Sequence, residues 1–149
     1  MAESIQGLER LFRRVQRLHD RTSRDIERPI KAGAVYMLGS IERNFKAEGR
    51  PKRWTALAES TVRQRRKGKG RGGPKILTNF GVLKGSMSRR IRRTEAEVGT
   101  NAVQAKRQHY GYPKKAGRGH SKTPARPFVM FQNEDFDAIG MIFSRHVRS

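Results

Sequence analysis

A chain of 149 residues is long enough for a single domain with a core of its own. It has no cysteine, which excludes a disulfide framework, a thiolate nucleophile and Cys-ligated zinc, and fits a reducing compartment. With 34 Lys and Arg against 13 Asp and Glu, a net charge of +21 and 34% apolar residues, it reads as a modest core under a strongly cationic surface.

The N-terminus, MAESIQGLERLF, is charged throughout and does not read as a secretory signal. No long apolar run follows, so no membrane-spanning segment is expected. Ile5, Leu8, Leu11, Phe12, Val15 and Leu18 recur every three or four residues and predict a helix over 4–22. Arg10, Arg13, Arg14, Arg17 and Arg21 fall mainly off that stripe, as a solvated face. Ile26, Ile30, Ala34, Met37, Leu38, Ile41 and Phe45 predict a second helix. Asp25 is its expected cap, and Pro29 fits only its first turn. The EGRP run at 48–51 should end it, with Gly49 at positive φ and Pro51 disfavouring helix before it.

Trp54 and Leu57 open a segment with a short helix near Glu59 and Ser60, after which the basic loop RQRRKGKGRGGPK occupies 63–75. Ile76, Leu77, Phe80 and Leu83 predict an apolar helical turn. Ser86–Thr94 and Glu95–Thr100 read as two short strands joined by a tight turn, and 102–108 as a third strand. A second Gly/Pro/basic loop covers 111–127. Phe128–Phe131 is an apolar cluster leading into a C-terminal helix. Asn133 or Asp135 should cap that helix, and Phe136, Ile139, Ile142, Phe143 and Val147 form its stripe. The layout predicts an α+β fold over 1–149: an N-terminal helical hairpin, a small antiparallel sheet with long basic loops, and a C-terminal helix.

The residues offer no constellation for catalysis. His19, His109, His120 and His146 are scattered, without metal-site spacing. Glu134, Asp135 and Asp137 suit the N-terminus of a helix better than a metal. Glu95 and Glu97 suit cross-strand pairing with arginines better than nuclease chemistry. GKGRGG at 68–73 has the composition of a phosphate loop without its motif. No metal, cofactor or enzymatic activity is expected.

The charge is uneven. Between Thr61 and Asn133 there are 19 Lys and Arg against only Glu95 and Glu97. Arg63, Arg65, Arg66, Lys67, Lys69, Arg71 and Lys75 in the first loop, and Lys114, Lys115 and Arg118 in the second, are the candidate contacts to a partner. Glycines would let that backbone follow a surface closely. No aromatic residue interrupts the first loop, so base stacking is not expected, and nucleic-acid contact would be sequence-nonspecific. From composition three readings stay open: a solvated loop, a nucleic-acid arm, and a surface for protein partners.

The segments WTALAESTVRQRRKGKG, ILTNFGVLKGSM, VGTNAVQA, QHYGYP and PARPFVMF follow one another in an order that resembles the phage virion morphogenesis family, which includes Mu-like and tail-completion proteins of tailed phages. The matching positions are Trp54, Leu57, Thr61, Leu77, Gly81, Leu83, Ser86, Val98, Gly99, Thr100, Gly111, Ala125, Arg126 and Phe128. The resemblance implies a non-enzymatic structural protein of the virion, a neck connector or tail-completion (terminator) component. It further implies a ring, a hexamer, at the head–tail junction around the DNA path, with other neck and tail proteins as partners and no membrane. Trp54 and Arg126 are then candidates for subunit interfaces, with core packing the favoured reading for Trp54 and an interface anchor its alternative. Phe80 and Phe128 are expected in the core. A DNA-binding protein acting through the basic loops is the competing expectation.

Overall fold

The computed structural model describes residue 13 and residues 26–71, 73–112 and 122–148. The helix expected over 4–22 lies outside these residues except for Arg13, which is helical and exposed. So do Asp25 and the loop lysines and arginine Lys114, Lys115 and Arg118.

The apolar periodicity from Ile26 onward produces α1, Glu27–Ala47, with Pro29 in its first turn where its missing N–H is harmless. Ile30, Gly33, Ala34, Ile41 and Phe45 are buried, and so are the polar Ser40 and Asn44. The helix closes on a left-handed Glu48 at φ 57°. The Gly49 N–H bonds back to Asn44 O at 2.8 Å and the Glu48 N–H to Phe45 O at 3.3 Å, the paired closure of a Schellman motif. The side chain of Glu48 explains why a non-glycine residue holds this position. Its carboxylate accepts the Ile76 N–H at 2.7 Å and the Arg53 guanidinium, while its carbonyl accepts the Trp54 N–H at 2.7 Å. Those bonds hold the carboxyl below its ordinary range, the Ile76 N–H first among them.

Gly49 carries the steric requirement of this corner. Its φ is 116°, and a Cβ there would stand 2.6 Å from Lys52 O and 2.7 Å from Trp54 N. Gly49→Ala is therefore expected to lower stability by about 1–3 kcal/mol, read as the shift of a urea unfolding midpoint.

Helix α2, Glu59–Gln64, follows an extended stretch and runs into a wide turn, Arg65–Lys69, broken at Lys67 and Gly68. The first half of the expected basic loop is thus helical, because no breaker precedes Gly68. The apolar turn expected from Ile76 begins later, as α3, Val82–Gly85. Ile76 and Leu83 enter the core, but Phe80 does not: it is 62% exposed. Strands β1, Ser88–Ile91, and β2, Ala96–Gly99, form one antiparallel pair, with Arg90 opposite Glu97. The turn between them is closed by Arg92 N–H to Glu95 O at 2.8 Å and an Arg92–Glu95 ion pair at 2.6 Å. Glu95 thus pairs with Arg92 within the turn, and Glu97 lies opposite Arg90 in the register.

The third strand expected over 102–108 is instead helical, as α4, Ala105–Tyr110. The Thr100 hydroxyl accepts the Ala102 N–H at 3.0 Å, and the Ala105 N–H bonds to Ala102 O. That local turn starts a helix before the chain can reach a sheet edge. Helix α5, Asn133–Arg148, closes the chain. Its start is held by neither expected cap in the expected way. Asp135, on the first turn, reaches back to accept the Gln132 N–H at 2.8 Å, which is the acidic half of a capping box.

Helix α1 packs against α5 and against both strands. At Gly33 its backbone lies close to Ile139 and Phe143 of α5. The centre of the α+β core is Ile41 and Phe45 of α1 with Trp54, Ile76, Leu83 and Phe128. Among the described residues no helix is long and apolar enough to cross a membrane.

Candidate functional site: a cationic groove and a basic tip

Two extended segments distant in sequence are strapped together. The Arg126 guanidinium, buried to 5% exposure, donates from Nε to Thr55 O at 3.0 Å and from Nη2 to Ala56 O at 3.2 Å. The Trp54 indole N–H returns the contact, donating to Pro127 O at 3.2 Å. Gly111 lets the strap close. A Cβ there would lie 2.8 Å from both Ala125 N and Thr123 O, and its φ is 77°. Tyr112 and Thr123 exchange backbone hydrogen bonds across this point. Ser86 and Thr100 share a 2.6 Å hydroxyl bond that ties α3 to the end of β2.

A groove of about 500 Å³ opens beside the strap. Leu57, Leu77 and Leu83 give it an apolar lining, and the exposed Phe80 and Val82 also line it. Among the described residues that line it, Arg65, Lys122 and Arg126 are charged and none is acidic. Leu77 sits at φ 57°, a costly conformation for a branched apolar residue. Burial, then the nearby charge of Arg65, pulls Arg126 below its ordinary pKa. Two guanidinium groups crowd one wall, and both donate to carbonyl oxygens rather than to carboxylates.

The basic segment divides into clamps and a tip. Arg65 is a clamp: one guanidinium nitrogen donates to Gly73 O at 3.0 Å and Lys75 O at 2.8 Å. Asn79 is a second, accepting the Arg71 N–H at 2.8 Å. The segment is thus folded back on itself, which like charges alone would oppose. Arg63, Arg66, Lys67, Lys69, Arg71 and Lys75 remain exposed around it. Arg63 makes an exposed 3.5 Å pair with Glu59, the kind that contributes little. Of the sequence-derived interface residues, Trp54 is 6% exposed and Arg126 5%, both within the strap.

A further polar centre escaped the sequence reading. Asp135 is fully buried and receives the Ser40 hydroxyl at 2.6 Å, Arg43 at 2.9 Å and Arg50 at 3.4 Å. Burial pushes its carboxyl up, but the Gln132 N–H, Ser40, Arg43 and Arg50 outweigh it, and the net shift is downward. Arg50 also bonds Asn44 Oδ1, Ser40 Oγ and Glu134. Asn44 Nδ2 donates to Phe128 O at 2.9 Å and Met130 O at 2.8 Å. Ser40 and Asn44, four residues apart and flanked by Ile41, were the available signal: a polar row on an otherwise apolar helix face. Among the described residues no group of His, Asp and Glu is placed to hold a metal ion.

Helix α1, a small hairpin, the strap and a clamped basic turn define a cationic α+β scaffold whose polar centres hold segments together. The chain matches the phage virion morphogenesis family over residues 4–148, and it belongs to that family. Its role accordingly lies in building a phage particle, and it is a virion-associated protein of a structural family. No curated protein and no solved structure matches the chain significantly.

Proposed function

We propose that the protein is a non-enzymatic ring component at the head–tail junction of a tailed phage, acting as a neck connector or tail-completion (terminator) protein. The supporting observation is the groove: a partly apolar surface, without acids among its described lining residues, on a chain of a virion assembly family. Surfaces of that kind suit subunit contacts that form on assembly. A ring needs a head-to-tail pair of unlike surfaces that close by rotation, and a hexamer satisfies this. A phage carrying a stop codon in this chain should accumulate heads and tails that fail to join or stay joined, and purified protein should restore joining. Normal particles without the protein would overturn the reading.

The exposed tip supports a second role, binding to DNA in the channel. Arg66, Lys67, Lys69 and Arg71 present positive charge on a turn with Gly68 and Gly70. Replacing Arg66, Lys67 and Lys69 with Gln should weaken duplex binding and flatten its logarithmic salt dependence by about 0.9 for each phosphate no longer neutralised. An unchanged slope would assign the tip to protein neighbours instead.

A further inference from the structure

We infer that the groove receives the outer face of α5, around Phe136, Asp137 and Met141, from a second copy of the chain. This rests on the ring reading and names the contact that closes it.

Charge and apolarity are divided between two surfaces of the same chain. The groove has an apolar lining with two exposed hydrophobics, the exposed Lys122, and the guanidinium groups of Arg65 and Arg126 held on internal carbonyls, with no acid among its described lining residues. The outer face of α5 is its complement. Phe136, which touches Phe131 edge-on, is 59% and Met141 55% exposed, and Asp137 is exposed beside them. Gly140 sits between, and a Cβ there would meet nothing within 4 Å, so another backbone can approach. The stretch from Thr61 to Asn133 holds only two acids, Glu95 and Glu97; on α5 Asp135 is buried and Glu134 pairs with Arg50, which leaves the exposed Asp137 as the acid this face presents. A phenyl ring fits comfortably in a groove of about 500 Å³. The two surfaces are unlike, so their contact is head-to-tail, the kind that makes a ring when its rotation closes. Duplex DNA suits the groove less well. A phosphate has no use for an apolar lining.

The absence of cysteine makes a direct test possible. Phe80→Cys and Phe136→Cys lie at exposed positions, and circular dichroism can confirm that the variants fold. Under mild oxidation, mixed single variants should give one covalent dimer, the double variant a ladder ending at the ring size, and neither single variant a dimer with itself. Lys122→Glu or Asp137→Lys should each cut the ladder by about tenfold, and the two together should restore it. Self-dimers of Phe80→Cys, or no rescue in the charge swap, would overturn the inference. Wild-type rings in sedimentation with no ladder would overturn it alone and leave the ring reading standing. A wild type that stays monomeric at every salt and concentration would overturn both. Loss of duplex binding in Lys122→Glu with ring formation unchanged would reassign the groove to nucleic acid.

Discussion

Asp135→Ala is expected to cost about 3–5 kcal/mol, because it removes one side of a buried ion pair and leaves the other in place. Four donors converge on this carboxylate: the Gln132 N–H, the Ser40 hydroxyl, Arg43 and Arg50. Ser40 is fully buried and the Arg50 side chain is 18% exposed, so water cannot fully take the carboxylate's place. A domain of ordinary stability has about 5–15 kcal/mol in all, so the variant should melt on the order of 10 °C lower. The pH dependence gives a second measure. Asp135 and Glu48 both titrate below their ordinary values when folded. The unfolded chain, with values of about 3.9 for Asp and 4.3 for Glu, therefore takes up protons first on acidification. Their stabilisation is complete above those values and is lost as the pH falls through the folded ones. Wild-type stability should drop steeply below about pH 4, and Asp135→Asn should show a shallower drop in the same urea titrations.

The readable parts of the fold were those written in a single local pattern. Helices α1 and α5 carry periodic stripes, and the hairpin carries a turn with opposed charges at Arg92 and Glu95. The failures came where a few side-chain bonds redirect the backbone. In place of the expected third strand, the Thr100 hydroxyl accepts the Ala102 N–H and Ala102 O accepts the Ala105 N–H, a turn that leads into α4. The stripe of α5 also misleads in part. Ile139, Ile142 and Phe143 are half-buried, but Phe136 and Val147 are exposed at 59% and 75%. Periodicity marks which residues share a face; it does not say whether the partner of that face is in the same chain. Phe80 fails for the same reason, since an apolar residue at a groove and one in a core look alike in sequence.

The candidate site was legible as charge and illegible as geometry. Composition locates the positive segment at 63–75, but Arg65 and Arg66 look equivalent there. The structure makes Arg65 an internal clamp on Gly73 and Lys75 and leaves Arg66 exposed. Arg126 reads as one more cation in a basic stretch, yet it is buried against two carbonyls that lie 71 and 70 residues upstream. Long-range backbone acceptors leave no trace in the residue types near an arginine. Ordered motif resemblance did reach these positions, because Trp54, Gly111, Arg126 and Phe128 all belong to the strap.

Phe128→Ala is the substitution that should connect stability to assembly. The ring is 1% exposed and packs against Phe45 at 5.5 Å and His109 at 5.1 Å between centroids. Truncation should cost about 3–5 kcal/mol through reduced burial and the cavity left behind. The same residue anchors the strap, since its carbonyl accepts Asn44 Nδ2 while Arg126 and Pro127 grip the Trp54 segment. Loosening it should displace Arg126 from the groove wall as well. Ile41→Ala is the control: Ile41 is equally buried in the same core, has an expected cost of about 2–5 kcal/mol, and lies on α1 rather than on the strap. At conditions chosen for equal folded fractions, Phe128→Ala should impair the proposed ring formation more than Ile41→Ala. Equal impairment would mean that assembly senses only global stability. His109 reports the local change. Burial holds its imidazole below the usual value, and removing the neighbouring ring should let its pKa rise, measurable by NMR titration in the folded variant.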